Sequence, residues 1–319
     1  METVTEDDYL GDIISSDGKN KKNVEKRISK GLGIITQIMN LLESVSFGEH
    51  YIEIALLLRE SMFINGILNN VEVWYGLGKA EVEEFEDLDR LLLRKILQTP
   101  VSTPKEAIYL ELGIIPIGVL IQSRRINFLY YLVTRNPSEM IYQFFITQWH
   151  NPTRGDWTET VKQDLEAFDI QVNFDVIKSK SKYSFKSMVK KKALEYGFEI
   201  LLAQKEKHSK MMDLHYTELK QQTYFTLPGI KIDEVRNIFK FRVNMSKFGE
   251  NFRGNSDRVL CPLCESHLDN QAMSQQCSVL KDQAKLEFKD IYSENVSIGA
   301  AQSVTKLMKI REDLIGKEK

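Results

Sequence analysis

A short apolar run, Tyr9-Leu-Gly-Asp-Ile-Ile-Ser15, stands ahead of Asp17-Gly18. An Asp-Gly pair marks a tight turn, so the run reads as a strand leaving a hairpin. Little chain precedes Tyr9 to supply its pairing partner, which leaves a lone strand or a short hairpin as the expectation. From Asn20 the pattern changes: Val24, Ile28, Leu32, Ile35, Met39 and Leu42 recur every three or four residues, the stripe of an amphipathic helix. Similar stripes predict helices over 48–70, 79–98, 118–135 and 138–149, with Pro100 and Pro137 as stops. Thr103-Pro104-Lys105-Glu106 reads as a capping box with proline at the first helical position, opening a short helix that ends at Gly113. Further helices are predicted at 157–168, 184–211, 213–222, 232–246 and 299–316.

This pattern predicts a mainly α protein: a helical bundle with a short N-terminal strand or hairpin and a small Cys-rich knuckle near the C-terminus. The expected divisions are a strand and turn at 1–18, a bundle at 19–150, a basic helical module at 151–258, the knuckle at 259–280 and closing helices at 281–319. Ser179-Lys-Ser-Lys182 is the expected interdomain linker. No run approaches the roughly 18 apolar residues of a membrane span, and the acidic start lacks a secretory leader's features. An intracellular protein without a membrane partner is the expectation.

The net charge of −2 hides an asymmetry. Residues 1–177 hold 17 basic and 27 acidic side chains, whereas residues 178–258 hold 18 basic and 9 acidic ones. A segment so unbalanced points to a polyanionic partner. Lys21, Lys22, Lys26, Arg27 and Lys30 crowd the first turns of the first helix, where cations oppose the helix dipole, and phosphate contact is one reason to keep them there. Lys190 and Lys191 lie in the basic segment. Lys240, Arg242, Lys247 and Arg253 interleave with aromatic residues and complete the candidate nucleic-acid face, while Ile238, Phe241 and Met245 read as core.

Catalytic signatures are absent from the pattern. The acidic pairs Asp7-Asp8, Glu83-Glu84 and Asp233-Glu234 suit helix starts and solvated faces, no glycine-rich phosphate loop follows a strand, and no histidine has a nucleophile motif. No enzyme activity and no small-molecule substrate are expected. The strongest local signal is Cys261-Pro-Leu-Cys264 with Cys277 thirteen residues on. A Cys-x-x-Cys turn aims two thiolates at one centre, structural zinc takes four ligands, and His267 is the nearby residue able to join the three cysteines. Zinc is therefore the candidate cofactor.

Several motifs, taken in order, resemble non-LTR (LINE-like) retrotransposon reverse transcriptases. Tyr9-Leu-Gly-Asp-Ile-Ile-Ser-Ser-Asp-Gly18 with the basic helix at Arg27-Ile28 is similar to the region just after the catalytic palm. Val73-Trp-Tyr-Gly76 and Leu91-Leu-Leu-Arg-Lys-Ile96 look like the thumb that follows. Leu219-Lys-Gln-Gln222, Phe239-Lys-Phe-Arg242, Asn251-Phe-Arg-Gly254 and Cys261-Pro-Leu-Cys264 resemble the C-terminal region, which closes in a Cys-Cys-His-Cys zinc knuckle. The resemblance covers most of residues 9–277 and implies that 1–18 is a palm-edge remnant and 19–150 a thumb-like bundle. It departs from the family in two places. The palm with its metal-binding aspartates would lie upstream of Tyr9, and the knuckle's expected histidine falls on Met273, a poor zinc ligand.

The resemblance implies a non-catalytic remnant that keeps sequence-independent binding to an RNA or DNA template–primer, largely through backbone contacts. The alternatives are a domesticated helical scaffold for another protein, with self-association through the surface left by the missing palm, and a truncated product without function.

Overall fold

The computed structural model describes residues 6–9, 11–74, 76–211, 213–252, 259–274, 276–283 and 291–317. The chain is mainly helical, with one two-stranded hairpin at its start. In order, the elements are β1 (Glu6–Tyr9), β2 (Asp12–Ser15), α1 (Lys21–Ser44), α2 (Tyr51–Leu58), a π-helical stretch (Arg59–Ile64), α3 (Asn65–Ile67), α4 (Lys79–Leu97), α5 (Lys105–Leu112), α6 (Ile117–Val133), α7 (Met140–His150), α8 (Trp157–Ala167), α9 (Phe174–Ser179), α10 (Lys182–Lys205), α11 (Ile232–Arg242), α12 (Gly249–Phe252), α13 (Gln271–Ser274), α14 (Ser278–Gln283) and α15 (Ile298–Lys317).

The chain divides into two compact units. The first comprises 1–38, 58–91 and 115–200; the second comprises 39–57, 92–114 and 201–319. This division does not follow the linear order expected from the sequence. The Ser179–Lys182 break separates α9 from α10 inside the first unit and is not a boundary between units.

In the first unit the strand at the chain's start has a partner after all. β1 pairs antiparallel with β2, Asp8 opposite Ile13 and Tyr9 opposite Asp12. The sequence hid β1 because Glu6-Asp7-Asp8 lacks β-favouring residues; cations on α1 meet those acids, Lys22 at Glu6 and Lys26 at Asp8. The outer edge of β2 is closed by a side chain, since Asn23 Nδ2 donates to the Ile13 carbonyl at 2.9 Å. Beyond the hairpin, α6 packs against α7, α8 and α9, and Ile126, Leu129, Val133, Phe145, Val161, Leu165, Phe185 and Val189 form a continuous core. Two buried bidentate pairs cross this unit: Arg59 with Asp89 at 2.7 and 2.6 Å, and Arg125 with Asp164 at 2.6 and 3.0 Å.

In the second unit α11 lies along α15, with Phe241, Phe248, Val304 and Leu307 in the core between them. Ile238, Phe241 and Met245 are buried as their spacing predicted. The start of α5 differs from the expected capping box. Pro104 occupies the N-cap and the Thr103 hydroxyl pairs with Thr99 at 2.6 Å instead of capping the helix.

Residues 213–222 are not helical, contrary to their periodicity. The Gln222 amide donates to the Glu111 carbonyl at 3.0 Å, and Lys220-Gln221 runs directly over Gly113. At Gly113, φ is +65° and an added Cβ would stand 2.1 Å from the Gln221 nitrogen, so only glycine fits. Tertiary contact overrides the local preference here.

Candidate metal centre and nucleic-acid interface

The three cysteines converge in the second unit. A bridge between Leu260 and Leu268 closes a tight loop, inside which the Cys261 amide donates to the His267 carbonyl at 2.7 Å and the Glu265 amide to the Cys261 carbonyl at 2.9 Å. Glu265 takes the left-handed conformation that turns the chain back, φ +51°. Cys277 immediately precedes α14. The three Sγ atoms lie within 4.8 Å of one another, and this is the group of metal-capable side chains that comes together among the described residues. Cys261 and Cys277 are buried, 3.9 Å apart, while Cys264 is half-buried.

The geometry fits a thiolate-bound ion. At a Zn–S distance of about 2.3 Å, two sulfurs at tetrahedral corners stand roughly 3.8 Å apart. The three cysteines can therefore hold a metal ion at three of four corners. His267 contributes its backbone carbonyl to the loop, and its ring lies outside the cysteine group. The side chain of Met273, which falls in α13, lies outside what the structure describes. Burial raises the Cys277 thiol to about 11, with the neighbouring Cys264 and Cys261 sulfurs adding to it and the Leu280 amide opposing it. At Cys264 burial also pushes upward, but hydrogen bonds from the Ser266 and His267 amides and the two other thiols outweigh it and lower the pKa.

The loop is fastened to α15. Asp269, 4% exposed, accepts the Gly249 amide at 2.6 Å and Arg311 at 2.7 Å, and the Arg311 guanidinium lies 4.8 Å from the centre of the Phe248 ring. Together they couple the cysteine loop to the core of the unit.

The candidate phosphate-contacting residues fare unequally. On α1, Lys22 is exposed and Lys26 half-buried, both paired with hairpin acids, and Arg27 is 4% exposed and bound to Asp12 at 2.7 Å. Arg27 is thus a structural residue. Lys21 and Lys30 are exposed. Arg242 is corrected outright: it is 1% exposed, paired with Glu111 at 3.0 Å, and donates to the Ile291 and Ser293 carbonyls. A guanidinium so enclosed cannot reach a phosphate. Arg253 lies outside the described residues. Lys240 and Lys247 line one cleft in the second unit.

The clearest exposed basic surface is on α10 in the first unit. Between 178 and 192 the chain carries seven lysines and no acid. Lys182, Lys186 and Lys190 follow one another at four-residue intervals, all exposed, with no ion pair among the described residues. Lys191 reaches Glu195 at 3.8 Å. Like charges at this spacing destabilise a helix, and Lys182 sits at the end where the dipole disfavours a cation. Of these lysines, the sequence pattern singled out Lys190 and Lys191; Lys182 and Lys186 stand in the same exposed row, and the Ser-Lys repeat that reads as a linker hid Lys182.

No group of three or more carboxylates converges among the described residues, and no single helix there is long and apolar enough to cross a membrane. Comparison of the chain with protein-family models, with curated proteins and with solved structures found no match.

Proposed function

We propose that this chain is a non-catalytic, sequence-independent nucleic-acid-binding protein related to the C-terminal region of LINE-like reverse transcriptases. The observation that carries the proposal is the exposed row Lys182, Lys186 and Lys190 on α10. At 1.5 Å rise per residue, successive ammonium groups stand about 6 Å apart along the helix. Such a row costs helix stability and is offset by no acid on its own segment, which is what a surface held for a polyanion requires. The expected ligand is an RNA or DNA duplex gripped by its backbone.

Zinc is the metal we assign to Cys261, Cys264 and Cys277, with the fourth position filled by a ligand other than the His267 ring. Its role is structural, holding the loop whose Asp269–Arg311 contact reaches α15.

The test is binding of the purified chain to an RNA–DNA primer–template duplex across a salt series, with and without zinc. Binding that weakens steeply with salt supports the proposal; no binding at low salt contradicts it.

A second reading, a helical scaffold for another protein, is favoured by an apolar groove of about 460 Å³ in the first unit, where Phe144 is 69% exposed beside Val73 and Ile141. Concentration-dependent association that Phe144→Asp abolishes is its expected mark.

A further inference from the structure

A cleft of about 350 Å³ in the second unit lies between α11 and α15. Four cations line it: Arg236 and Lys240 one turn apart on α11, Lys247 in the following loop, and Lys309 on α15. Asn237, Ser246 and Thr305 add neutral hydrogen-bonding groups. Two carboxylates also face it, Asp233 and Glu312, leaving an excess of two positive charges. Both acids are largely exposed and weakly engaged. Asp233 stands 3.6 Å from Arg236, and Glu312 meets Lys247 at 2.9 Å in a pair that is solvated on both sides.

The guanidinium of Arg236 is held rigidly. Its Nε and Nη2 donate to the Ile96 carbonyl at 3.1 and 3.0 Å, and Nη2 also meets the Tyr51 hydroxyl at 3.3 Å. This leaves Nη1 directed toward the exposed Asp233. Lys240 is half-buried and has no hydrogen-bond or ion-pair partner among the described residues. Burial, and then the charges of Arg236 and Lys247, press its pKa below the ordinary lysine value, so the ammonium is under a strain that a bound anion relieves. Among the described residues no aromatic ring lines the cleft, so none of them offers a base a platform to stack on.

We propose that the cleft bounded by Arg236, Lys240, Lys247 and Lys309 is a binding site for a single phosphate group carried by a nucleotide or a nucleic-acid chain. Its volume lies at the lower end of the range of small-ligand pockets, enough for a phosphate and the sugar attached to it. Arg236 supplies a pre-oriented guanidinium edge, Lys240 and Lys309 supply ammonium donors, and Asn237 and Thr305 supply neutral donors. The site does not rest on the lysine row of α10, which belongs to the other unit.

The experiment titrates the full chain with inorganic phosphate, with a nucleoside 5′-monophosphate and with a short oligonucleotide lacking terminal phosphates. Three proteins are compared by calorimetry: the unaltered chain, Lys240→Gln/Lys309→Gln, and Lys182→Glu/Lys186→Glu/Lys190→Glu. The monophosphate is expected to bind the unaltered chain and the α10 variant alike, and to bind the cleft variant about tenfold or more weakly. Binding of the monophosphate but not the unphosphorylated oligonucleotide through the cleft identifies a chain end or free nucleotide as the source. Cleft-dependent binding of the oligonucleotide identifies an internal phosphodiester. Monophosphate binding that the cleft variant retains, or none at millimolar concentration, overturns the proposal. Circular dichroism of each variant verifies folding, and Lys247→Gln, an exposed position, gives a milder second test.

Discussion

Glu111 and Arg242, 131 positions apart in the chain, form an ion pair at the centre of the second unit, Nε to Oε2 3.0 Å. Neither is more than 1% exposed. The carboxylate accepts two further bonds, from the Tyr216 and Tyr224 hydroxyls at 2.6 Å each, and the guanidinium is completed by the Ile291 and Ser293 carbonyls. Every charge here is met, which is the condition under which a buried pair is tolerated. One cluster therefore ties α5, the 213–222 segment, α11 and the 291–293 turn together.

Breaking this pair from one side leaves an uncompensated buried charge. Arg242→Met is expected to cost about 3–5 kcal/mol of the stability of the second unit, read as a lowered urea midpoint. The double variant Glu111→Leu/Arg242→Met is expected to cost clearly less than the two single changes added together. Strict additivity would mean that the two residues act separately.

The cysteine site distinguishes its members sharply. Cobalt bound in place of zinc should show thiolate charge-transfer absorption that Cys277→Ser weakens, with loss of affinity at least matching the roughly 10–100-fold seen on removing an outer partner. His267→Ala is expected to leave metal affinity almost unchanged, because the ring lies outside the cysteine group. A large loss in the histidine variant would mean that the loop rearranges on metal binding to recruit it.

Alkaline pH should loosen the second unit. Burial raises the Tyr292 hydroxyl to about 12, with Asp213 adding to the shift, and burial holds Tyr216 and Tyr224 well above the usual tyrosine value as well. Above about pH 10 the unfolded chain releases these protons while the folded chain keeps them, so the folded state binds more protons and stability falls as pH rises. Each such tyrosine contributes a slope of about 1.4 kcal/mol per pH unit between its unfolded and folded values. Tyr292→Phe is expected to flatten the decline between pH 10 and 12 and to change little at pH 7. An identical slope in the two proteins would contradict the assignment.

The parts of this fold that were legible in the sequence are those written in apolar periodicity. α1, α4 and α15 lie where the stripes Val24 to Leu42, Val82 to Ile96 and Val304 to Leu314 placed them, and α6 where a helix over 118–135 was expected, within one or two residues at most ends. The convergence of three cysteines followed from their spacing. What could not be read depended on distant partners. Glu6-Asp7-Asp8 becomes a strand beside β2 with its acids met by α1, and 213–222 is held out of a helix by Glu111 and Gly113. Arg242 read as a surface cation because Glu111 lies so far away in sequence. The available signal was the single acid in the apolar stretch Ala107–Leu112, which burial requires to be paired.

Gly113→Ala offers a check on the second of these. The substitution meets both a left-handed backbone and the Lys220–Gln221 chain, so a loss of more than about 1 kcal/mol is expected, above the usual cost of a left-handed alanine. A neutral result would show that 213–222 is free to move away.

In the proposed function α10 presents its lysines to a nucleic-acid backbone. The most direct measurement is the slope of log affinity against log salt for a duplex, compared between the unaltered chain and Lys182→Gln/Lys186→Gln/Lys190→Gln. Each phosphate contact adds about 0.9 to the slope, so losing three should reduce it by roughly 2 to 3 while the fold, by circular dichroism, is unchanged. An unchanged slope in a folded variant would place the binding surface elsewhere or remove it altogether.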